Sequence, residues 1–253
     1  LIYKWIHFQF LKYIIKNSNQ NFVCSEAMKE EYEKIFKTSF KVVSNPVDLE
    51  VIKQYKSNGI KKTPFRIVYA GTINSKNTNN LTLMSQAIDE LSDSGHDIVF
   101  DVYTFQSKLE KVSNLFESYK STTIQHAPIE DHDLFRILGN SSILYLPMDF
   151  TTESIKSIRL SYLTKQPLYM SLGVPLIVHG PKEIHVVKHA LDFHYAEVIT
   201  NNCIQDLKSC ILDHINSYEL YVKKTELGIK YAEENHSIHK VQDWFYASLL
   251  KSS

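Results

Sequence analysis

From Phe65 onward, short apolar runs alternate with longer segments whose apolar residues recur every three or four positions. The runs Arg66–Ala70, Ile98–Tyr103, Thr122–Gln125, Ile143–Leu146, Pro175–Val178 and Glu197–Ile199 read as strands. Most are nearly continuous in apolar residues, the pattern of strands covered on both faces. Between them, Leu81, Met84, Ile88 and Leu91 share one helical face, as do Leu109, Val112, Phe116 and Tyr119, and later Leu207, Ile211, Ile215 and Tyr218. Gly95, Gly139 and Gly173 stand where such helices must stop and turn. Strands alternating with helices predict the α/β class, a doubly wound, Rossmann-like parallel sheet.

Upstream, Asn21–Ser25 reads as a strand followed by a helix through Phe36, and Phe40–Val43 as a short strand entering the turn Asn45-Pro46-Val47-Asp48. Residues 50–64 are polar and lysine-rich and predict an exposed connection, while the chain from Ser217 onward is helical by pattern. The first residue is Leu1, so the natural N-terminus is expected upstream. Within Leu1–Ile15, the apolar residues Ile2, Trp5, Ile6, Phe10 and Ile14 roughly share a face, but Lys4, His7, Gln9 and Lys12 interrupt the run. A membrane span needs about 20 mostly apolar residues, so this face is expected to pack against a further domain rather than lie on a bilayer.

Composition narrows the partners. The 28 basic and 28 acidic residues balance, and no basic stripe suggests nucleic acid. Cys24, Cys203 and Cys210 lack metal-ligand spacing, and an odd count fits a reducing compartment. No aspartate pair is placed to hold a divalent ion.

In a doubly wound sheet, ligands bind beyond the carboxyl ends of the strands near a topological switch point. Two segments there carry candidate chemistry. In Tyr69–Asn77, Gly71 lets backbone approach a phosphate, Thr72, Asn74 and Ser75 offer donors, and Lys76 is a cation, aided by the N-terminus of the next helix. In Ser161–Pro175, Thr164 and Lys165 precede a short helix and suit an anion. Either segment also reads as an ordinary loop with a surface lysine. His179, at the end of its strand, is a further cleft candidate.

In order along the chain, Phe22–Ser25, Val42–Asp48, Ile67–Thr72, Ile124–Leu134 with Ile143–Pro147, and Thr164-Lys165 with Tyr169–Pro175 resemble the motifs of family 1 group (GT4-like) glycosyltransferases of GT-B fold. The likeness is to their C-terminal donor domain. It implies a remnant of the acceptor domain over residues 1–42, a donor-binding domain over 43–216, and C-terminal helices over 217–253 that return toward the first domain. It implies transfer of a sugar from a nucleoside diphosphate, UDP- or GDP-linked, to a saccharide or lipid-linked acceptor, without metal or resident cofactor. The setting implied is cytoplasmic, at the inner face of a membrane in surface-polysaccharide or glycolipid assembly. Donor contacts fall by resemblance on Gly71, Thr72, Asn74, Lys76, Thr164, Lys165 and Tyr169, with a nucleobase loop at His126 and Pro128. No residue is assigned a catalytic role.

The departures are as specific as the matches. The family's two glutamates fall at Leu160 and Leu168, and neither leucine accepts a hydrogen bond. Losing such an acceptor costs about 1.5–3 kcal/mol. Glu153 is the nearest upstream carboxylate able to compensate, and Thr72 replaces the family's basic residue after the glycine. A degenerate, non-catalytic binding or assembly partner is therefore the alternative reading. An unrelated doubly wound domain, flavodoxin-like or half of an epimerase, is a third, although Gly71 stands outside any G-x-G-x-x-G pattern.

Overall fold

The structure is a computed structural model, and it describes residues 2–128 and 130–250. Leu1, Ile129 of the anticipated base-side loop, and the last three residues of the C-terminal tail lie outside the described residues.

The N-terminal segment contains α1 (Ile2–Asn17), β1 (Phe22–Val23), α2 (Glu26–Phe36) and β2 (Lys41–Val42). Its two strands pair in parallel, over a small core of Val23, Phe36 and Phe40. Ser25 caps α2 through Met28 N. α1 exposes Trp5, Ile6, Phe10 and Ile14, the face anticipated to seek a partner. Among the described residues no helix is long and apolar enough to cross a membrane.

The main sheet comprises β3 (Phe65–Ala70), β4 (Ile98–Thr104), β5 (Thr122–His126), β6 (Ile143–Pro147), β7 (Leu176–His179) and β8 (Glu197–Ile199). The strands are all parallel, in the order β5-β4-β3-β6-β7-β8. Alternation along each strand sorts side chains to opposite faces. Ile67, Tyr69, Ile143, Tyr145 and Ile177 enter one core, while Val68, Ala70, Leu144, Leu146 and Val178 enter the other. Helix α4 (Thr78–Asp93) follows β3, and α5 (Gln106–Val112), α6 (Asp131–Gly139) and α7 (Thr152–Ile158) follow β4, β5 and β6. Then come α8 (Lys165–Ser171), α9 (His185–Phe193), α10 (Ile204–Asn216), α11 (Tyr218–Asn235) and α12 (Ile238–Leu250). The strand order reverses between β3 and β6, which is the switch point.

Two expectations need correction and a third a different reason. The connection over 50–64 is only partly exposed: α3 (Leu49–Lys53) forms there, capped by Asp48, and Ile52 is buried. Ser57 N donates to Leu172 O at 2.8 Å, tying this stretch to the end of α8. Gly139 does end α6, as its position suggested, but not as a left-handed stop like Gly95 or Gly173; a Cβ there would lie 1.9 Å from the Tyr55 carbonyl oxygen, so it permits close approach of the connection. The face through Phe116 and Tyr119 is not one helix, because α5 gives way to a 3₁₀ turn at Ser113–Leu115.

The first and last parts of the chain meet. Phe22 packs on Trp244 and Phe245 of α12. The two crossings between the N-terminal segment and the sheet unit run side by side: Val47 N donates to His236 O at 2.7 Å, and Ile238 N to Val47 O at 3.0 Å.

Candidate functional site

At the carboxyl end of β3 the chain leaves the sheet through Gly71, whose φ of 151° disfavours a side chain. Gly71 N donates to Tyr103 O of β4 at 2.9 Å. Lys165, the first residue of α8, reaches this turn: its Nζ donates to Ala70 O at 2.9 Å and to the Tyr69 hydroxyl at 3.2 Å. The ammonium also lies 4.2 Å from the Tyr69 ring centre, a cation–π arrangement. A Cβ on Gly71 would stand 2.0 Å from Lys165 Nζ, so the glycine and the lysine occupy one another's space. The two segments singled out separately in the sequence thus meet at one turn.

Lys165 makes no ion pair among the described residues. Burial pushes its ammonium from the usual lysine range down to about 7, because desolvation penalises the charged form and no carboxylate offsets it. A negative charge brought near it would offset that penalty.

The surrounding loop holds itself in shape. The Tyr69 hydroxyl donates to Thr72 O at 2.8 Å and accepts from Asn77 Nδ2 at 2.8 Å. Asn77 Nδ2 also donates to Thr72 O at 2.9 Å, and Asn77 Oδ1 accepts from Asn74 N at 3.0 Å. Asn74 Oδ1 accepts from Lys76 N at 2.9 Å, and the residue is exposed. Thr72 and Lys76 are half-buried on the same loop, and Thr164 is exposed one residue before Lys165.

Tyr169 takes another place than expected. It is fully buried, and its hydroxyl accepts from Ala70 N at 3.0 Å and lies 3.3 Å from Ala70 O. It braces the end of β3 from beneath, so it positions the turn and does not face a ligand.

The help expected from the N-terminus of α4 is also corrected. Asp149, from the loop after β6, accepts from Asn79 N at 3.0 Å and Asn80 N at 2.8 Å. The carboxylate is completely buried, and desolvation raises its pKa against the lowering effect of these two donors. The first-turn amides are already satisfied by a protein anion. Asp149 N in turn donates to Lys76 O at 2.7 Å, joining the two loops at the switch point. The sequence offered one sign of this residue, an aspartate just past an apolar strand.

His179 is corrected as well. It has no exposure, and its Nε2 donates to Asn201 O at 2.8 Å while Nδ1 accepts from the Tyr145 hydroxyl at 2.7 Å. Burial holds it neutral, with a pKa near 4. It is a satisfied core histidine and not a cleft residue.

His126 is exposed at the end of β5, two strands from β3, and Pro128 is half-buried in the loop beyond it. Glu153 is exposed in the first turn of α7, which follows β6 at the switch point. Leu168 packs against the core on the α8 side of the sheet. Leu160 helps line a cavity of about 480 Å³ between α2 and α9, together with Ser25, Arg159, Tyr162, His185 and His189. Among the described residues no cluster of three His, Cys, Asp or Glu side chains is placed to hold a metal.

By sequence, no family model and no curated protein matches the chain. Solved structures do match. TarM superposes with a TM-score of 0.67 at 12% identity, over 94% of this chain and 45% of its own. Sucrose-phosphate synthase from Thermosynechococcus elongatus gives 0.69 at 11% identity, over 96% and 61%. HepE from Anabaena, in complex with UDP and glucose, gives 0.71 at 9% identity, over 94% and 65%. The chain thus spans about half to two thirds of the length of these proteins. A parallel six-stranded sheet of this order, matched over nearly the whole chain by such structures, gives the chain the fold of the GT-B glycosyltransferases.

Proposed function

We propose that this chain is the nucleotide-sugar-binding half of a glycosyltransferase that moves a sugar from a nucleoside diphosphate to an acceptor hydroxyl. The observation that carries the reading is the desolvated ammonium of Lys165, hydrogen-bonded to Ala70 O and the Tyr69 hydroxyl but without an ion-pair partner among the described residues, set against Gly71 at the switch point. A diphosphate there meets Lys165, with Lys76 and the Asn74 amide on the same rim. Fixed donors of this kind stabilise charge as it develops on a departing diphosphate. Thr72 and Thr164 are assigned the hydroxyls at its edge, and the loop at His126 and Pro128 is assigned to the base. Glu153 is the carboxylate assigned to the sugar hydroxyls in place of the missing glutamates.

The donor is UDP- or GDP-linked and acts as substrate, with no resident cofactor. Its acceptor is a saccharide or lipid-linked saccharide of surface-polysaccharide or glycolipid assembly, met at the cytoplasmic face of a membrane. Residues 1–42 are read as the end of an acceptor-binding domain, 43–216 as the donor domain, and 217–253 as its returning helices. HepE, with bound UDP and glucose, supports a donor of this class at this fold.

A second reading is favoured by one feature: Leu168 is part of the core packing, and Leu160 stands in the wall of a cavity. On that reading the chain is a non-catalytic partner that retains the fold. Calorimetric titration with UDP, GDP and UDP-sugars, repeated on Lys76→Ala and Lys165→Ala, separates the two. Loss of about 1 kcal/mol or more in either variant supports the donor site. A folded chain that binds no nucleotide at millimolar concentration favours the second reading.

A further inference from the structure

The segment Arg159–Tyr162, between α7 and α8, is held from three directions. Arg159 O accepts from His185 N at 2.8 Å, at the start of α9. Leu160 O accepts from the hydroxyl of Ser25, a buried residue at the turn between β1 and α2. Tyr162 O accepts from Asn45 Nδ2 at 3.3 Å, in the crossing between the two parts of the chain. Side chains repeat the pattern. The Arg159 guanidinium donates to Glu31 of α2 at 2.6 Å, and Glu31 is held below the usual carboxylate range chiefly by that hydrogen bond. Tyr162 donates its hydroxyl proton to His236 Nε2 at 2.9 Å, since His236 Nδ1 must donate to Asn45 O. Three residues further on, Lys165 touches the Gly71 turn.

Here Ser25 and Glu31 come from the N-terminal segment, Asn45 and His236 from the two crossings, and Lys165 from the candidate anion site. We infer that residues 159–165 form a lever, through which contacts with Ser25 and Glu31 across the seam position Lys165 at the Gly71 turn. Arg159, Ser25 and Glu31 are on this account positioning residues. The link to nucleotide binding rests on the donor reading above, whereas the mechanical link does not.

The test uses the whole chain without nucleotide. The variants are Glu31→Arg, Arg159→Glu and the double exchange, with Glu31→Gln as a milder change should a reversed charge prevent folding. Two quantities are read: amide hydrogen exchange over residues 161–166, and the rate at which an amine-selective acylating reagent labels Lys165. A partly exposed ion pair of this kind is expected to change each by about two- to fivefold in the single variants. The double exchange restores the native rates. Unaltered exchange and labelling in the single variants overturn the lever, as does failure of the double exchange to restore them. Because no nucleotide is present, a chain that fails to bind UDP refutes the donor reading without touching this result.

Discussion

Nucleotide affinity falls as pH rises above neutrality if Lys165 holds the diphosphate. The free lysine titrates near 7, and a bound polyanion restores the charged form toward the ordinary lysine range near 10.4. Binding above pH 7 must therefore take up a proton. With a free pKa of about 7, the protonated fraction drops from about one half at pH 7 to about 3% at pH 8.5. Affinity then declines by about fifteenfold, or about 1.6 kcal/mol, across that window. A nucleotide phosphate with a second pKa near 6 is already ionised there and adds little of its own. Calorimetry of UDP binding in buffers of different ionisation enthalpy measures the uptake directly, at about 0.9 proton near pH 8. Lys165→Arg keeps a charge throughout, so its affinity stays level over the same range. A native chain whose affinity is flat from pH 7 to 8.5, with no proton taken up, refutes Lys165 as the anion ligand.

Other perturbations separate the site from its supports. Gly71→Ala places a methyl group where Lys165 Nζ sits and strains the backbone; UDP binding is expected to disappear in the same titration. Gly139→Ala drives a methyl group into the Tyr55 carbonyl and is expected to lower stability to denaturant by about 1–3 kcal/mol, with Lys165 labelling unaltered. Asp149→Ala leaves two first-turn amides of α4 without their acceptor and is expected to cost about 1–2 kcal/mol in the same denaturation. Burial lowers the pKa values of His185, His189 and His236 from the ordinary 6.5, with His189 near 3. The folded chain keeps them neutral, so stability present above pH 6.5 is lost as pH falls toward their folded values. Melting at pH 7.5 and pH 5 checks this; an identical midpoint in a His236→Gln chain and the native one at both values would exclude His236 as a contributor.

The main sheet was legible because its strands are buried on both sides. Ile67–Ala70 and Ile143–Leu146 are apolar without interruption, and each expected strand lies within a residue or two of the observed one. Even β5, half-exposed at the edge, was marked by its threonines and isoleucine. The connection over 50–64 was misjudged because its lysines advertise solvent, while the residues that bury it, Ile52 and Tyr55, are few. For the site, Gly71 and Lys165 were visible as residue types at the ends of separate elements. That they share one space depends on α8 leaning against β3, a tertiary fact with no local signature. Asp149 was missed for the same reason: it caps a helix some 70 positions earlier in the chain, so no spacing rule reveals it. His179 stands at a strand end, where an imidazole looks alike in sequence whether it faces a ligand or the backbone, and Tyr169 came from the motif it shares with the family, which does not say that its hydroxyl turns to Ala70.

The paired crossings at Val47 and Ser237 restrict how the two parts of the molecule can move. A single covalent tether would permit twisting, sliding and separation. Two tethers laid in parallel and bonded backbone to backbone resist translation and leave rotation about their common line as the soft motion. Large displacements then fall on groups far from that line, whereas the crossings themselves turn with little change in length. An opening of a few degrees about that line would leave Val47 and His236 in contact, but it would first have to break the Glu31–Arg159 ion pair and the Ser25–Leu160 hydrogen bond, so those contacts act as the latch of a door whose hinge is the paired crossings.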